Sequence, residues 1–321
     1  MLLEIFIIGC GGTQPLPRRH LSSIMVRRNG QSFLFDCGEG TQISLKRQGL
    51  RWKNISHMFI SHIHADHVTG IPGLMMLSSQ VERVEPLHIV APKGVCDFIS
   101  GICKSLNIYI NYPFRLRHIE FRQESQVLYE DDELKISCFP LVHSQPTVGF
   151  LVEEKMRPGI FVPERAAALA VPRGPLWGAL QRGQTVQNER GETVRPEDVL
   201  GEPRPGARLA FMTDTLYHEK AAEYVQDVDL LICEGMFARD LTENAHEKKH
   251  MTAPEAALIA KTAGVQQLAL THFSPRYLDR ELKTLLSEAQ EIFPETILCR
   301  DGLHWTLQAT EGSAPGDNSP K

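Results

Sequence analysis

Short apolar runs alternate with polar breaks along most of the chain. Leu3 to Ile8 is apolar and stops at Gly9-Cys10-Gly11-Gly12-Thr13, the pattern of a buried strand entering a tight turn. Ser23 to Arg28 and Ser32 to Asp36 read as two strands joined at Asn29-Gly30, a dipeptide suited to the positive φ angles of a two-residue hairpin. Gln42 to Gln48 has helical spacing, and His57 to Ser61 is an apolar strand running straight into a histidine cluster. Leu74 to Val81 then predicts a helix, Leu87 to Val90 a strand and Gly94 to Leu106 a helix. Ile119 to Phe121, Glu133 to Pro140, Val148 to Glu153 and Arg208 to Thr213 follow as strands with little helix between them. Leu230 to Glu234 and Leu268 to Thr271 are two more, each after a helical stretch. This is an α/β mixture with two strand-rich halves. Between Val152 and Arg208 the apolar period lapses and Pro and Gly accumulate, which predicts a protruding functional insertion rather than a packed layer. The residues after about Gln308, rich in Gly, Ser, Pro and Asp, predict a flexible tail over 308–321.

Composition narrows this picture only slightly. A chain of 321 residues with 42% hydrophobic content can bury a large core. Its 34 Lys and Arg against 39 Asp and Glu leave a net charge of −5, so a polyanionic partner has to be met by local basic residues. The seven cysteines include no Cys-x-x-Cys pair, which argues against a disulfide framework or a zinc ribbon and for a reducing, cytoplasmic setting. The first residues lack the basic stretch of an export signal, and no apolar window approaches the ~18 residues of a membrane span. A soluble cytosolic protein without a membrane partner is expected.

The strongest chemical signal is Ser61-His62-Ile63-His64-Ala65-Asp66-His67, where metal-capable side chains crowd the end of a strand. One such loop can serve two metals, because a strand end presents alternate residues to one side and the turn beyond can bring the others to a second centre. Two centres need more ligands, at the ends of later strands. His143, Asp214 and His272 occupy those places. A second pattern, His246-Glu247-Lys248-Lys249-His250, matches the His-Glu-x-x-His of zinc proteases, which requires both histidines on one helical face. Thr252-Ala253-Pro254-Glu255 reads instead as a capping box that starts a helix near Ala253. That leaves His250 ahead of the helix and His246 as a surface histidine, and it removes the protease reading.

The His-x-His-x-Asp-His cluster with His143, Asp214 and His272 resembles the metallo-β-lactamase superfamily. Phe35-Asp36-Cys37-Gly38-Glu39-Gly40-Thr41-Gln42, Phe211 to Thr215 and Thr271-His272-Phe273-Ser274-Pro275-Arg276-Tyr277 bring the resemblance to the short bacterial form of tRNase Z, or ribonuclease Z. That resemblance implies an αββα sandwich, two mixed β-sheets with helices outside. It implies a catalytic domain over residues 1–307 with a substrate arm inserted at about 152–207. It also implies two zinc ions per subunit, with manganese or iron as substitutes able to use such ligands. His62, His64 and His143 would hold one ion, Asp66, His67 and His272 the other, and Asp214 would bridge them. Ions ~3.5–4 Å apart can hold a hydroxide between them for attack on a phosphodiester, with Asp66 orienting the water or taking its proton. His250 falls in the family's His-x-Thr-Ala motif and would be catalytic, donating to the phosphate or the departing 3′-oxygen. Glu234 stands where it can position His250, although Cys-Glu-Gly replaces the family's usual His-Glu-Ala.

The function implied is endonucleolytic removal of the 3′ trailer from precursor tRNA, by a homodimer acting on RNA and not on DNA. Arg157, Arg165, Arg173 and Arg182, four bases against one acid between Met156 and Arg182, would meet tRNA phosphates on an open arm with little core. Ser274 and Arg276 are further candidates for substrate binding. Arg18 and Arg19, in a loop that departs from the family's Thr-x-x-Arg-Asn form, read either as contacts to the RNA 3′ region or as a charged turn. Two rivals share these residues: a phosphodiesterase for small molecules, and a non-catalytic RNA-binding member whose signature would be a missing ligand.

Overall fold

The protein is described from a computed structural model that covers residues 3–307. β1 (Leu3–Gly9), β2 (Ser23–Arg28), β3 (Gln31–Phe35), β4 (Ile55–Phe59), β5 (Leu87–Pro92) and β6 (Phe114–Ile119) build one sheet. β7 (Gln126–Glu130), β8 (Leu134–Leu141) and β9 (Thr147–Glu154) begin a second. β10 (Val186–Gln187) and β11 (Thr193–Val194) pair only with each other, inside the insertion. β12 (Arg208–Met212), β13 (Leu230–Glu234), β14 (Gln267–Thr271) and β15 (Thr296–Leu298) complete the second sheet, and β16 (His304–Leu307) returns to the first beside β1. Each sheet is antiparallel in one half and parallel in the other.

The central strands are apolar throughout because both faces are covered. Along β1, Leu3, Ile5 and Ile7 join the core that runs to the second sheet, while the alternate Phe6 and Ile8 join the core under the helices outside the first sheet. Phe150 of β9 lies between the sheets, with its ring centroid 5.3 Å from that of Phe35 and 6.4 Å from that of Phe211. Two mixed sheets with helices on the outer faces are the expected αββα arrangement. The hairpin at Asn29-Gly30 forms with φ of 52° and 82° at the two turn residues.

Two expectations need correction. The strand expected at Ile119 to Phe121 is instead β6, Phe114–Ile119. It is a half-exposed edge in which Phe114 and Leu116 alternate with Arg115 and Arg117, so it presents no apolar run. The insertion also has a core of its own. Ala166, Val171, Leu180, Val186, Val194 and Val199 are buried together, with Phe161 and Trp177 packed on them. Helices Pro163–Ala168 and Pro175–Gln181 supply part of it. The expected tail, 308–321, lies outside the described residues. Among the described residues, no helix is long and apolar enough to cross a membrane.

Because the insertion's apolar cluster is separate from those of the sandwich, the two should fail separately. Phe150→Ala should cost about 3–5 kcal/mol and lower the main unfolding midpoint. Leu180→Ala should instead expose the insertion to limited proteolysis within 157–207 while leaving that midpoint nearly in place, as denaturant unfolding followed beside a protease time course would read.

Candidate metal centre

β4 of the first sheet and β8, β12, β13 and β14 of the second end on one side of the sandwich, and the residues at and just past those ends carry the site. Beyond β4 the chain runs extended through His62 and His64 into the short helix Ala65–Val68, which holds Asp66 and His67. His143 follows β8, Asp214 follows β12 and Glu234 is the last residue of β13. His272 follows β14 directly, with φ of 58°. Residues other than glycine are uncommon at that backbone angle, and such conformations cluster at functional positions.

The Asp214 carboxylate stands at the middle of these loops and its two oxygens face different histidines. Oδ1 lies 3.3 Å from His67 Nε2 and 3.2 Å from His272 Nε2. Oδ2 lies 3.5 Å from His62 Nε2 and 3.8 Å from His143 Nε2. Asp66 Oδ2 completes the first side, 3.7 Å from both His67 Nε2 and His272 Nε2. His64 Nδ1 completes the second, 3.2 Å from His143 Nε2. The result is two groups, His62, His64, His143, Asp214 and Asp66, His67, Asp214, His272, each with its donor atoms within 4.8 Å of one another. Burial alone would raise the Asp214 carboxyl, but His272, His67 and His62 hold it well below the usual carboxylate range. Burial pushes His143 down to about 4 against the pull of Asp214, so its ring is neutral at physiological pH and has a lone pair to give.

The second nitrogen of three ligand-candidate rings is tied down. His67 Nδ1 is 2.7 Å from Asp36 Oδ2, His143 Nδ1 is 2.8 Å from the Lys249 carbonyl, and His62 Nδ1 is 3.0 Å from Ser61 Oγ. The nitrogens turned inward are different: His62 Nε2 and His67 Nε2 are buried without a hydrogen-bond partner. Unsatisfied imidazole nitrogens, anchored from behind and aimed at a shared carboxylate, fit the coordination of divalent cations.

His250 lies in the turn between helices Thr242–Glu247 and Ala253–Ala263. The capping box of Thr252 and Glu255 is present, and His246 and His250 do not share a helix. His246 is exposed, as a surface histidine should be, with its Nε2 2.5 Å from Glu255 Oε1. His250 Nδ1 is 3.1 Å from Glu234 Oε1, and Nε2 is 4.0 Å from Asp214 Oδ2. Burial opposes its charge, but Glu234 and then Asp214 outweigh it and raise the imidazole to about 9. Glu234 also accepts the backbone N–H groups of Thr215 and Met251.

The remaining candidates lie apart from this cluster. Arg157 pairs with Glu154, Arg165 donates to the Leu200 carbonyl, and Arg173 sits over Trp177. Arg182 lies with Arg157 on a cleft of about 740 Å³ at the root of the insertion. Ser274 is buried, and Arg276 is exposed over the Phe237 ring. Arg19 is not a solvated turn residue. It is 3% exposed and donates to the carbonyls of Ser274 and Tyr277 and to Asp279.

Proteins of known identity place this architecture. A curated ribonuclease Z of Treponema denticola is 51% identical over 308 residues, covering 96% of this chain and 99% of its own. One of Treponema pallidum is 52% identical, covering 94% and 97%. This chain belongs to the ribonuclease Z family. A family model described as a beta-lactamase superfamily domain matches residues 186–273, and one described as anti-Pycsar protein Apyc1 matches residues 3–157. The crystal structure of the short form of human tRNase Z shares the fold, with a TM-score of 0.67 at 23% identity, covering 96% of this chain and all of that one. The ribonuclease Z family membership and the metallo-β-lactamase fold, with its His and Asp cluster, make this a divalent-metal site.

Asp36 is the residue at this ribonuclease Z site that sequence reasoning passed over. It sits just past β3 with φ of 56°, accepts His67 Nδ1 on Oδ2, and takes the Ser61 backbone N–H and hydroxyl as well. Asp36 stands in the Phe35 to Gln42 motif that carries the resemblance, but the motif assigns it no role, and the need of His67 for a partner behind its ring supplies one. Asp36→Asn should lower the affinity for divalent metal roughly 10- to 100-fold, read by competition with a coloured chelator.

Proposed function

We propose that the chain is a metal-dependent endoribonuclease that removes the 3′ trailer from precursor tRNA. Water attacks phosphorus, the bond to the 3′-oxygen breaks, and the tRNA keeps a 3′-hydroxyl. The observation that carries this reading is that both donor groups and His250 meet on the Asp214 carboxylate, in a chain half identical over its length to curated ribonucleases Z.

In this reading His62, His64 and His143 hold one zinc ion and Asp66, His67 and His272 the other, with Asp214 shared, and manganese or iron fit the same donors. When bound, the ions supply positive charge at the scissile phosphate and a water acidified to about pKa 7. Asp66 orients the attacking water or takes its proton. His250 is held protonated by Glu234 with Nε2 towards Asp214, and it gives that proton to the departing 3′-oxygen.

Arg173 and Arg182, exposed on the insertion, are the bases of this reading that meet tRNA phosphates away from the cut. Ser274 and Arg276 lie on the segment after His272, where the RNA end would pass. The working unit is a homodimer in the cytoplasm, a setting in keeping with seven free thiols.

Labelled precursor tRNA incubated with the purified protein, with product ends mapped, tests the activity. Cleavage at the 3′ trailer that stops on chelation and returns with zinc is expected, and intact RNA under all metal conditions would overturn the reading. Arg173→Glu with Arg182→Glu should raise KM for precursor tRNA roughly tenfold and leave hydrolysis of a small phosphodiester unchanged. Equal loss on both substrates would count against an RNA-gripping arm.

A further inference from the structure

The loop from Gly11 to Leu21 lies against the metal centre and is under strain. Its Gly12 packs on His272 so closely that a side chain there would come within 2.5 Å of the ring Nε2. Its Thr13 donates a backbone N–H to Asp66 Oδ2 at 2.6 Å. Thr13 does this with φ of 67°, a left-handed conformation that is a genuine outlier for a β-branched residue. Such a conformation persists only where the surroundings impose it.

The stem of the loop shows what imposes it. Gly11 N donates to the His20 carbonyl at 2.9 Å, which brings the two ends of the loop together. Both ends are then gripped by Asp301, which lies in the turn before β16. Its Oδ1 accepts Cys10 N at 3.2 Å and Cys10 Sγ at 3.4 Å. Its Oδ2 accepts His20 N at 2.8 Å and lies 2.7 Å from His20 Nδ1. The His20 ring has room only because Gly40, at φ of 89°, has no side chain: a Cβ there would fall 2.3 Å from the ring. An imidazole thus makes the tie to the Asp301 carboxylate.

We propose that His20 and Asp301 form a positioning couple. By clamping the stem of the loop they keep Thr13 in its strained conformation and its N–H on Asp66, which fixes the direction of that carboxylate at the centre. The geometry stands by itself, and the consequence for rate rests on the nuclease reading above.

The test uses the full-length protein and three variants. His20→Leu removes the ring donor, His20→Asn keeps a side-chain N–H that can reach Asp301, and Asp301→Asn replaces one acceptor oxygen. Amide hydrogen exchange over residues 11–21 is measured beside kcat and KM on precursor tRNA. His20→Leu and Asp301→Asn should speed exchange in this segment and lower kcat, each roughly tenfold, with KM changing less than about twofold. His20→Asn should recover most of the protection and of kcat, which a general loss of stability would not give. Unchanged exchange in both His20→Leu and Asp301→Asn, or a His20→Asn as impaired as His20→Leu, would overturn the couple. If the wild-type protein fails to cut precursor tRNA, the nuclease reading falls while the exchange data still decide the clamp.

Discussion

The structure turns on one buried carboxylate that two sets of imidazoles share. Asp214 is 1% exposed, and each of its oxygens faces the inward nitrogens of a different pair of histidines. Packing several imidazoles and two carboxylates around one point is costly in a low-dielectric interior unless positive charge sits among them. The site is therefore built for cations. The rest of the fold can be seen as the means of bringing this group together from strands in both sheets.

That convergence has a structural cause. Five of the seven ligand candidates lie on loops just past strands, the other two sit in the short helix that continues the first of these loops, and all four strands involved end on the same side of the sandwich. A strand buried on both faces is stiff, and the residue just past its end is placed by the whole sheet. Behind the inward nitrogens a second ring of partners, Asp36, Ser61 and the Lys249 carbonyl, sets the ring orientations. Glu234 does the same for His250 while also satisfying two backbone N–H groups.

What the sequence revealed follows from the same geometry. Central strands are apolar on both faces, so β1, β4, β12, β13 and β14 stand out as runs, and at the last four a polar residue at or just past the end of the run marks a candidate. The four edge strands, β6, β7, β15 and β16, carry mixed polarity and were misplaced or unread. The core of the insertion was hidden for a different reason: Ala166, Val171, Leu180, Val186, Val194 and Val199 are small and scattered among prolines and glycines, with no period to find. Arg19, which reads in sequence either as an RNA contact or as a charged turn, is buried, because the carbonyls that hold it come from more than 250 positions away. The His20–Asp301 tie spans 281 positions, and Asp36 meets Ser61 and His67 across 25 and 31. Each is a partner chosen by the folded structure and not by its neighbours in the chain.

The divalent-ion content of the purified chain, measured by elemental analysis after dialysis, bears most directly on the shared carboxylate. Two ions per wild-type chain and a loss at both positions in Asp214→Ala are expected, because one oxygen of Asp214 serves each group. A wild-type chain that binds none, or an Asp214→Ala variant that keeps both, would mean that Asp214 does not hold the centre together.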